Sequence, residues 1–265
     1  MLMVLLTALG VGGATVFGAA MGFAFKKVSH AFSDIILSFA AGVMLAAAVV
    51  GLVIPSLEYG GKFGILTTVV GIFVGALCLN LVDKLVPHLH RLSNTECCIG
   101  VTSADKATGS CGDVDKCVKL NKVFLVVSAI AIHNLPEGIA AGVSFGTEDV
   151  ARALIIAGGI ALQNIPEGMI IIGPMLAAGV SPKKTFLIAL GTGMVEVVGT
   201  LLGYFAVTVA TAILPFALAF AGGTMLYVIS DEMIPETHAH GHQRGATYAL
   251  LVGFCLMLAT DVLLG

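Results

Sequence analysis

Eight apolar segments, each about as long as a membrane-spanning helix, make up most of this chain. A bilayer core of about 30 Å is crossed by roughly 20 helical residues, and a chain inside it must satisfy its own backbone hydrogen bonds. Only 11% of the residues are charged, against about 25% in soluble domains. We therefore predict an all-α membrane protein with eight transmembrane helices. The segments are 4–25, 33–54, 63–86, 122–145, 151–173, 183–207, 212–231 and 245–264.

The basic residues predict the orientation of these segments. Short cytoplasmic loops carry an excess of Lys and Arg. With eight spans, 11 of the 13 Lys and Arg residues fall on one side, and only Lys62 and Arg152 fall on the other. We expect a multi-pass plasma-membrane protein, a single transmembrane domain over residues 1–265, with both termini outside the cytoplasm and loop 87–121 inside it.

Two polar loops on the predicted cytoplasmic side carry candidate soft-metal ligands. Cysteines in a reducing cytosol are expected to be thiols rather than disulfides, and alternating histidines are typical of weak metal sites. The alternative, a mobile linker with incidental cysteines, stays open for 87–121. The candidate exit or regulatory residues in these loops are Cys97, Cys98, Cys111, Cys117, His238, His240 and His242.

Three glutamates lie near the middle of apolar segments, with no lysine or arginine at that depth. They are Glu137, Glu167 and Glu196. Other ionisable groups of these segments are expected near helix ends, in reach of water: Asp34, Asp83, Lys84, Asp231, Glu232 and Asp261. A charged group at the bilayer centre costs about 3 kcal/mol or more and normally has a partner. Neutral glutamic acids that serve as packing struts are the alternative, but three at matched depth favour a cation site.

Two of these glutamates belong to a repeated motif, HNLPEG at 133–138 and QNIPEG at 163–168. At about 100° per residue, the first, second and fifth positions of each motif form one arc of a helix. Imidazole nitrogen, amide oxygen and carboxylate are ligands of zinc-like divalent ions. The two arcs consist of His133, Asn134 and Glu137, and of Gln163, Asn164 and Glu167.

Each motif also contains a proline inside the apolar segment. Pro136 and Pro166 remove a backbone donor and clash with the carbonyl four residues earlier. We expect bent, partly unwound helices at the level of the site, because broken helices are tolerated where they line a cavity.

With these residues the sequence resembles the Zrt/Irt-like protein (ZIP) family of divalent metal transporters, in particular its bacterial GufA-type branch. The resemblance covers essentially the whole chain. It implies an inverted repeat, in which helices 1–3 and 6–8 are related around central helices 4 and 5. The residues that carry it are GVML at 42–45, HNLPEG, QNIPEG, GMVE at 193–196 and SDEMIPETH at 230–238.

The resemblance also implies roles for individual residues. It places Met44, His133, Glu137, Gln163 and Glu167 in a primary transport site. Asn134, Asn164 and Glu196, which share Glu137 and Glu167, form an adjoining second site, and Asp231, Glu232 and Glu236 belong to the exit path. Relatives can carry His or Asp where this chain has the neutral Gln163 and Asn164, so occupancy by two ions stays open.

We predict uptake of divalent cations into the cytoplasm, zinc first, with iron, manganese or cadmium as alternatives. No cofactor is expected beyond the transported metal. The expected partners are these ions and the lipid bilayer, without nucleic acid, and a homodimer stays open. The alternatives are an intramembrane metal-dependent hydrolase and a non-transporting metal sensor. We expect no enzymatic activity, because the H-E-x-x-H signature of zinc hydrolases is absent.

Overall fold

The computed structural model describes residues 1–24, 29–99, 128, 131–147 and 149–264, with the side chains of 86–99 left out. All regular structure in these ranges is helical. In chain order the helices are α1 Leu2–Ala24, α2 His30–Ala46, α3 Ile54–Tyr59, α4 Gly64–Ile99, α5 131–144, α6 Val150–Ala177, α7 Pro182–Val209, α8 Leu214–Val228, α9 Ile234–His238 and α10 Gln243–Leu264.

Seven stretches of the described residues are long and apolar enough to cross a membrane. The all-α membrane architecture is therefore confirmed. Of predicted segment 122–145, the structure describes mainly α5, which is shorter than a full span. The seven stretches are Leu2–Ala24, His30–Tyr59, Gly61–Leu85, Val150–Ala177, Pro182–Val209, Thr211–His238 and Gln243–Leu264.

Two spans contain a π-helical turn directly before a proline. The segment Ala47–Val53 joins α2 to α3, and Ile229–Met233 joins α8 to α9. The amide of Ile54 donates to the carbonyl five residues earlier, and the amide of Ile234 does the same. Because the following proline clashes with the carbonyl four residues before it, a wider turn at this place relieves the clash while keeping the helix hydrogen-bonded.

The helices that carry the two repeated motifs are not unwound. The described part of α5 runs as regular α-helix through Pro136, and α6 does so through Pro166 and Pro174. The expectation of partial unwinding at the level of the site is therefore wrong for the described residues. A proline changes the helix only locally, and packing against neighbouring helices keeps it continuous.

The fourth helix extends well beyond its apolar segment. α4 ends at Ile99 rather than near residue 86, so Cys97 and Cys98 lie on its last turn and not in a loop. Hydropathy marks where a helix leaves the apolar core, whereas the backbone hydrogen bonding continues into the polar region. Cys111 and Cys117 lie outside the described residues.

Side-chain caps fix the beginnings of α2 and α6. The Ser29 hydroxyl accepts a hydrogen bond from the Phe32 amide at 3.3 Å, and the Asp149 carboxylate accepts one from the Arg152 amide at 3.0 Å. Such caps satisfy backbone donors that a helix end leaves free. They place Arg152 in the first turn of α6.

Glycines allow the motif helices to pack closely on their neighbours. Gly138 of α5 faces the backbone carbonyl of Glu196 on α7, and Gly168 of α6 faces that of Thr15 on α1. A Cβ at either position would overlap this carbonyl. The last residue of each PEG sequence thus lets the backbone approach the partner helix, as small residues do at membrane helix interfaces.

The same kind of contact joins the remaining helices. Gly42 of α2 faces the carbonyl of Leu250 on α10, and Gly223 of α8 faces that of Ile72 on α4. The helix pairs α2–α10 and α4–α8 are therefore held at backbone distance. These crossings place the π turns of the second and sixth stretches beside the motif helices.

An alanine at one of these crossings is expected to destabilise the fold. In Gly18→Ala the new Cβ meets the carbonyl of Ile165, and overpacking of this kind costs about 1–3 kcal/mol. Gly10→Ala on the same helix is the matched control, because nothing lies within 4 Å of its Cβ. Thermal unfolding of the detergent-purified protein measures both. Equal unfolding temperatures for the two variants would contradict the packing.

Candidate metal centre

The buried carboxylate of Glu196 on α7 binds donors from three other helices. Its Oε1 accepts from Asn134 Nδ2 of α5 at 2.6 Å and from the Thr15 hydroxyl of α1, and its Oε2 accepts from Asn164 Nδ2 of α6 at 2.6 Å. The exposed fraction of Glu196 is 0%. A carboxylate that accepts several hydrogen bonds is stabilised in its charged form.

These bonds orient the two asparagines. Because an ionised carboxylate only accepts, it fixes Nδ2 of Asn134 and Asn164 towards Glu196. The same nitrogens lie 3.3 Å from the carbonyls of Thr192 and Val11, respectively. Both Oδ1 atoms are buried and have no hydrogen-bond partner among the described residues. Two amide oxygens are thus available as ligands.

A second set of buried polar atoms also has no hydrogen-bond partner in the described part of the chain. Both carboxylate oxygens of Glu137 belong to it, as do both side-chain polar atoms of Gln163. Each of these residues is 0% exposed. A buried polar group left unsatisfied costs about 1–3 kcal/mol, and a charged one costs more. Such atoms are expected to have a ligand during the working cycle.

The centre has no basic partner among the described residues. In the described residues, no lysine or arginine forms an ion pair with Glu137, Glu167 or Glu196. Because uncompensated carboxylates are strongly disfavoured inside a membrane, bound cations or protons must balance them.

His133 contacts acids outside the two motifs. Its Nε2 lies 2.6 Å from Glu232 Oε1, and Asp83 of α4 completes a group whose candidate ligand atoms are all within 4.8 Å of one another. From the sequence, Asp83 and Glu232 were expected near helix ends, in reach of water. The span of Glu232 continues to His238, so this residue lies farther from the helix end than expected, while its side chain is one-third exposed.

A cavity of about 520 Å³ begins at the motif helices. His133, Glu137 and Glu167 line one end of it, and Glu167 is half-buried there. The further lining residues are Leu37, Ile170, Val228, Asp231, Glu232, Met233, Pro235 and Glu236. The cavity thus joins the two predicted groups, the transport site and the acidic exit residues.

The histidines expected beside the exit have three different environments. His238 Nδ1 lies 2.8 Å from the Ile234 carbonyl and its Nε2 lies 3.3 Å from the Thr247 hydroxyl, so both nitrogens have local partners. His240 contacts Asp34, and His242 is exposed. The roles of these histidines in metal exit stay predictions.

Met44 lies inside the apolar core with 0% exposure, among alanines of α2 and the adjoining π turn. It does not line the cavity that begins at the motif helices. Its role as a metal ligand stays a prediction.

Two carboxylates expected to reach water are buried instead. Asp34 is 3% exposed and lies 3.0 Å from His240 Nδ1, and Asp261 is 6% exposed and lies 3.7 Å from Arg152 Nε. Their position near helix ends misled the expectation, because residues distant in the chain, His240 and Arg152, pack against them.

Sequence reasoning missed Thr15 and the part played by Asp83. Thr15 belongs to a small-residue face of α1, between Gly12 and Gly18, which pack on α7 and α6. The spacing of these small residues predicts a close helix crossing. It does not predict that the hydroxyl of Thr15 donates to a carboxylate. No pattern in the sequence connects Asp83 to His133.

Comparison with known proteins identifies the family of this chain. A family model described as ZIP zinc transporter matches residues 1–261. The chain belongs to the ZIP zinc transporter family. Zinc transporter GufA of Myxococcus xanthus is 40% identical over 220 residues, which cover 81% of this chain and 80% of that protein. The resemblance to the GufA-type ZIP proteins is therefore confirmed.

Other ZIP relatives match nearly the whole chain. Zinc transporter ZIPB of Bordetella bronchiseptica is 34% identical, over 95% of this chain and 78% of its own length. Zinc transporter ZIP11 of Homo sapiens is 33% identical, over 96% of this chain and 94% of its own length. With the seven apolar helices described above, membership of this ZIP family makes the chain a multi-pass membrane protein.

Removal of one donor to Glu196 is expected to weaken the centre. Thr15→Val keeps the side-chain shape but deletes the hydroxyl, and a hydrogen bond to a charged group contributes about 1.5–3 kcal/mol. The control is Thr200→Val, since the Thr200 hydroxyl donates only to the backbone carbonyl of Glu196, at 2.9 Å. We expect Thr15→Val to lower the thermal stability clearly more than the control does. A larger loss in Thr200→Val would refute this assignment.

Proposed function

We propose that this chain transports divalent metal cations, zinc first among them, across the membrane into the cytoplasm. The relatives that match nearly all of it are named zinc transporters, and its centre combines the carboxylate, imidazole and amide ligands that zinc-like ions accept.

One observation carries this proposal. The carboxylate of Glu137 is fully buried, neither of its oxygens has a partner among the described residues, and it opens on a cavity with further acids. A buried anion beside an acidic cavity attracts cations and excludes anions. A packing strut would instead have its hydrogen bonds satisfied internally.

The proposed ligands differ in whether their oxygens already accept hydrogen bonds from the described residues. Glu137 and Glu167, with His133 and Gln163, are proposed to hold the transported ion, and Met44 belongs to the same predicted set. The unpartnered Oδ1 atoms of Asn134 and Asn164 support a second position close by. Glu196 contributes its charge there, because its oxygens already accept three hydrogen bonds. Three carboxylates balance one divalent ion fully and a second ion only in part, so we infer that the second ion binds more weakly.

His133 is proposed to pass the ion towards the exit. Its Nε2 cannot bond to Glu232 and hold a cation at the same time, so an arriving ion competes with Glu232 for this nitrogen. Asp83 and Glu232 lie close enough to accept the ion next. Asp231 and Glu236 continue the acidic wall of the cavity beyond them.

We further propose eight transmembrane helices and an inverted repeat. Glycine contacts occur in equivalent pairs: Gly18 faces the carbonyl of Ile165, and Gly199 faces that of Leu135. Gly12 and Gly193 face each other's carbonyl reciprocally. A two-fold axis that exchanges α1 with α7 and α5 with α6 accounts for all of these contacts.

The outer pairs obey the same relation. Exchange of α2 with α8 and of α4 with α10 converts the contact of Gly42 with Leu250 into that of Gly223 with Ile72. The π turns before Pro55 and Pro235 are also equivalent. Each half has three spans. The first half begins with α1, the first span, and the second half begins with α7, the sixth span, so the two halves run in opposite directions across the membrane.

The positive-inside distribution supports an orientation with both termini outside. In that orientation the cavity lined by Asp231, Glu232 and Glu236 opens towards the cytoplasm. The relatives' names favour transport over a hydrolase or a sensor.

Uptake into proteoliposomes tests the proposed transport. Purified wild-type protein is expected to take up radiolabelled Zn²⁺ with saturation, and Glu167→Ala is expected to lose at least about 90% of the rate, because a charge that balances the buried ion is gone. The matched control is Glu58→Gln, an exposed carboxylate at the end of α3, which should keep most of the rate. Equal uptake by wild type and Glu167→Ala would overturn the site.

Fusion reporters test the orientation. Alkaline phosphatase fused after Gly265 is expected to be active, because it folds only outside the cytoplasm, whereas green fluorescent protein at the same place should be dark. Green fluorescent protein inserted between Ala107 and Thr108 serves as the control and should fluoresce. The reverse pattern at both places would invert the proposed topology.

A further inference from the structure

A second group of metal-ligating side chains lies apart from the motif helices. His240, in the turn between α9 and α10, places its Nδ1 3.0 Å from Asp34 Oδ1 on the first turns of α2. The ring of His30 stacks on that of His240, with 4.7 Å between the ring centroids. His30 and Asp34 are one helical turn apart, so both point to the same side of α2.

The carboxylate of this group is not fully used. Asp34 is 3% exposed, and while its Oδ1 contacts His240, its Oδ2 has no hydrogen-bond partner among the described residues. A buried carboxylate oxygen without a partner is costly. The two histidines of the group reach solvent, since His30 is exposed and the His240 side chain is about one-third exposed.

The group lies just beyond the end of the acidic cavity. Leu37, one turn after Asp34, and Glu236, one turn before His240, both line that cavity. Ions that leave along the acidic wall would meet this group next. None of its three residues is among those that line the cavity with His133 and Glu137.

We propose that His30, Asp34 and His240 form a binding site for a zinc-like divalent cation at the mouth of the cavity. Two imidazole nitrogens and one carboxylate are a three-ligand set that zinc-like ions accept, with water in the fourth position. The cation takes the place of the hydrogen bond between His240 and Asp34, and the exposed His30 ring turns to a neighbouring rotamer to complete the set. The role of this site in ion release depends on the proposed transport function, whereas its ability to bind metal does not.

The alternative is a structural latch, in which the contact of His240 with Asp34 only holds α2 against the turn between α9 and α10. A latch between α2 and the α9–α10 turn needs only the contact of His240 with Asp34. It gives no reason for a second imidazole stacked on the first, nor for the unpartnered Oδ2.

Cobalt binding tests the site. Co²⁺ is titrated into the purified full-length chain in lipid nanodiscs, and its visible absorption bands report ions held by nitrogen and oxygen ligands, whereas cysteine ligands add a separate thiolate band. Loss of partners outside the ligand sphere already changes metal affinity about 10- to 100-fold. His30→Ala and His240→Ala are therefore each expected to bind one equivalent of Co²⁺ at least about tenfold more weakly than wild type.

Two further variants make the result specific. Glu58→Gln is the control, an exposed carboxylate at the end of α3 that belongs to neither proposed metal site, and should bind Co²⁺ as wild type does. Glu167→Ala should lose the ion at the motif helices but keep the one at the cavity mouth. Unchanged Co²⁺ binding in both His30→Ala and His240→Ala overturns the proposed site, including the case in which thermal stability falls. If wild type shows no zinc uptake while His240→Ala still loses its Co²⁺, the transport proposal fails and this site stands.

Discussion

The bonds to the Glu196 carboxylate hold the central part of this molecule together. One side chain of α7 accepts hydrogen bonds from Thr15 of α1, Asn134 of α5 and Asn164 of α6. In a medium of low dielectric such charge-assisted bonds are strong and directional. Since they consume the amide nitrogens, they also determine which atoms face the neighbouring space. The acceptor-rich character of the centre is thus a consequence of one buried carboxyl group that accepts hydrogen bonds from both asparagines.

This arrangement depends on backbones that approach each other closely. Short side chains such as Thr15 reach Glu196 only because glycines on both sides allow α1, α6 and α7 to touch. Close contact is a main source of association between membrane helices, because lipid is as apolar as the helix surface. The contacts that stabilise the bundle therefore also concentrate polar atoms at its middle, where unsatisfied oxygens such as those of Glu137 are most costly.

Hydropathy predicted the helical membrane fold. It also identified Glu137, Glu167 and Glu196 as candidate site residues, because acids in the middle of apolar segments without basic residues can be recognised in a single sequence. Other features depend on neighbours distant in the chain. Neither the contact of His133 with Glu232 nor the donor Thr15 follows from local pattern, and the prolines were misread because tertiary packing decides whether a proline unwinds a helix. Residues near helix ends, such as Asp34, were assigned to water because hydropathy does not show how turns fold back over them.

The ion pair of Arg152 with Asp261 makes the two halves of the proposed repeat electrostatically different. Under the proposed two-fold axis, Asp261 on α10 corresponds to Asp83 on α4. One of these acids lies beside His133 and Glu232, while the other lies against a guanidinium that belongs to the chain itself. A transported ion can therefore balance the charge of Asp83. The charge of Asp261 is instead balanced by Arg152, which belongs to the chain itself. If the backbone has the proposed symmetry, its charges do not share it, and the two sides of the membrane are expected to attract the same ion differently.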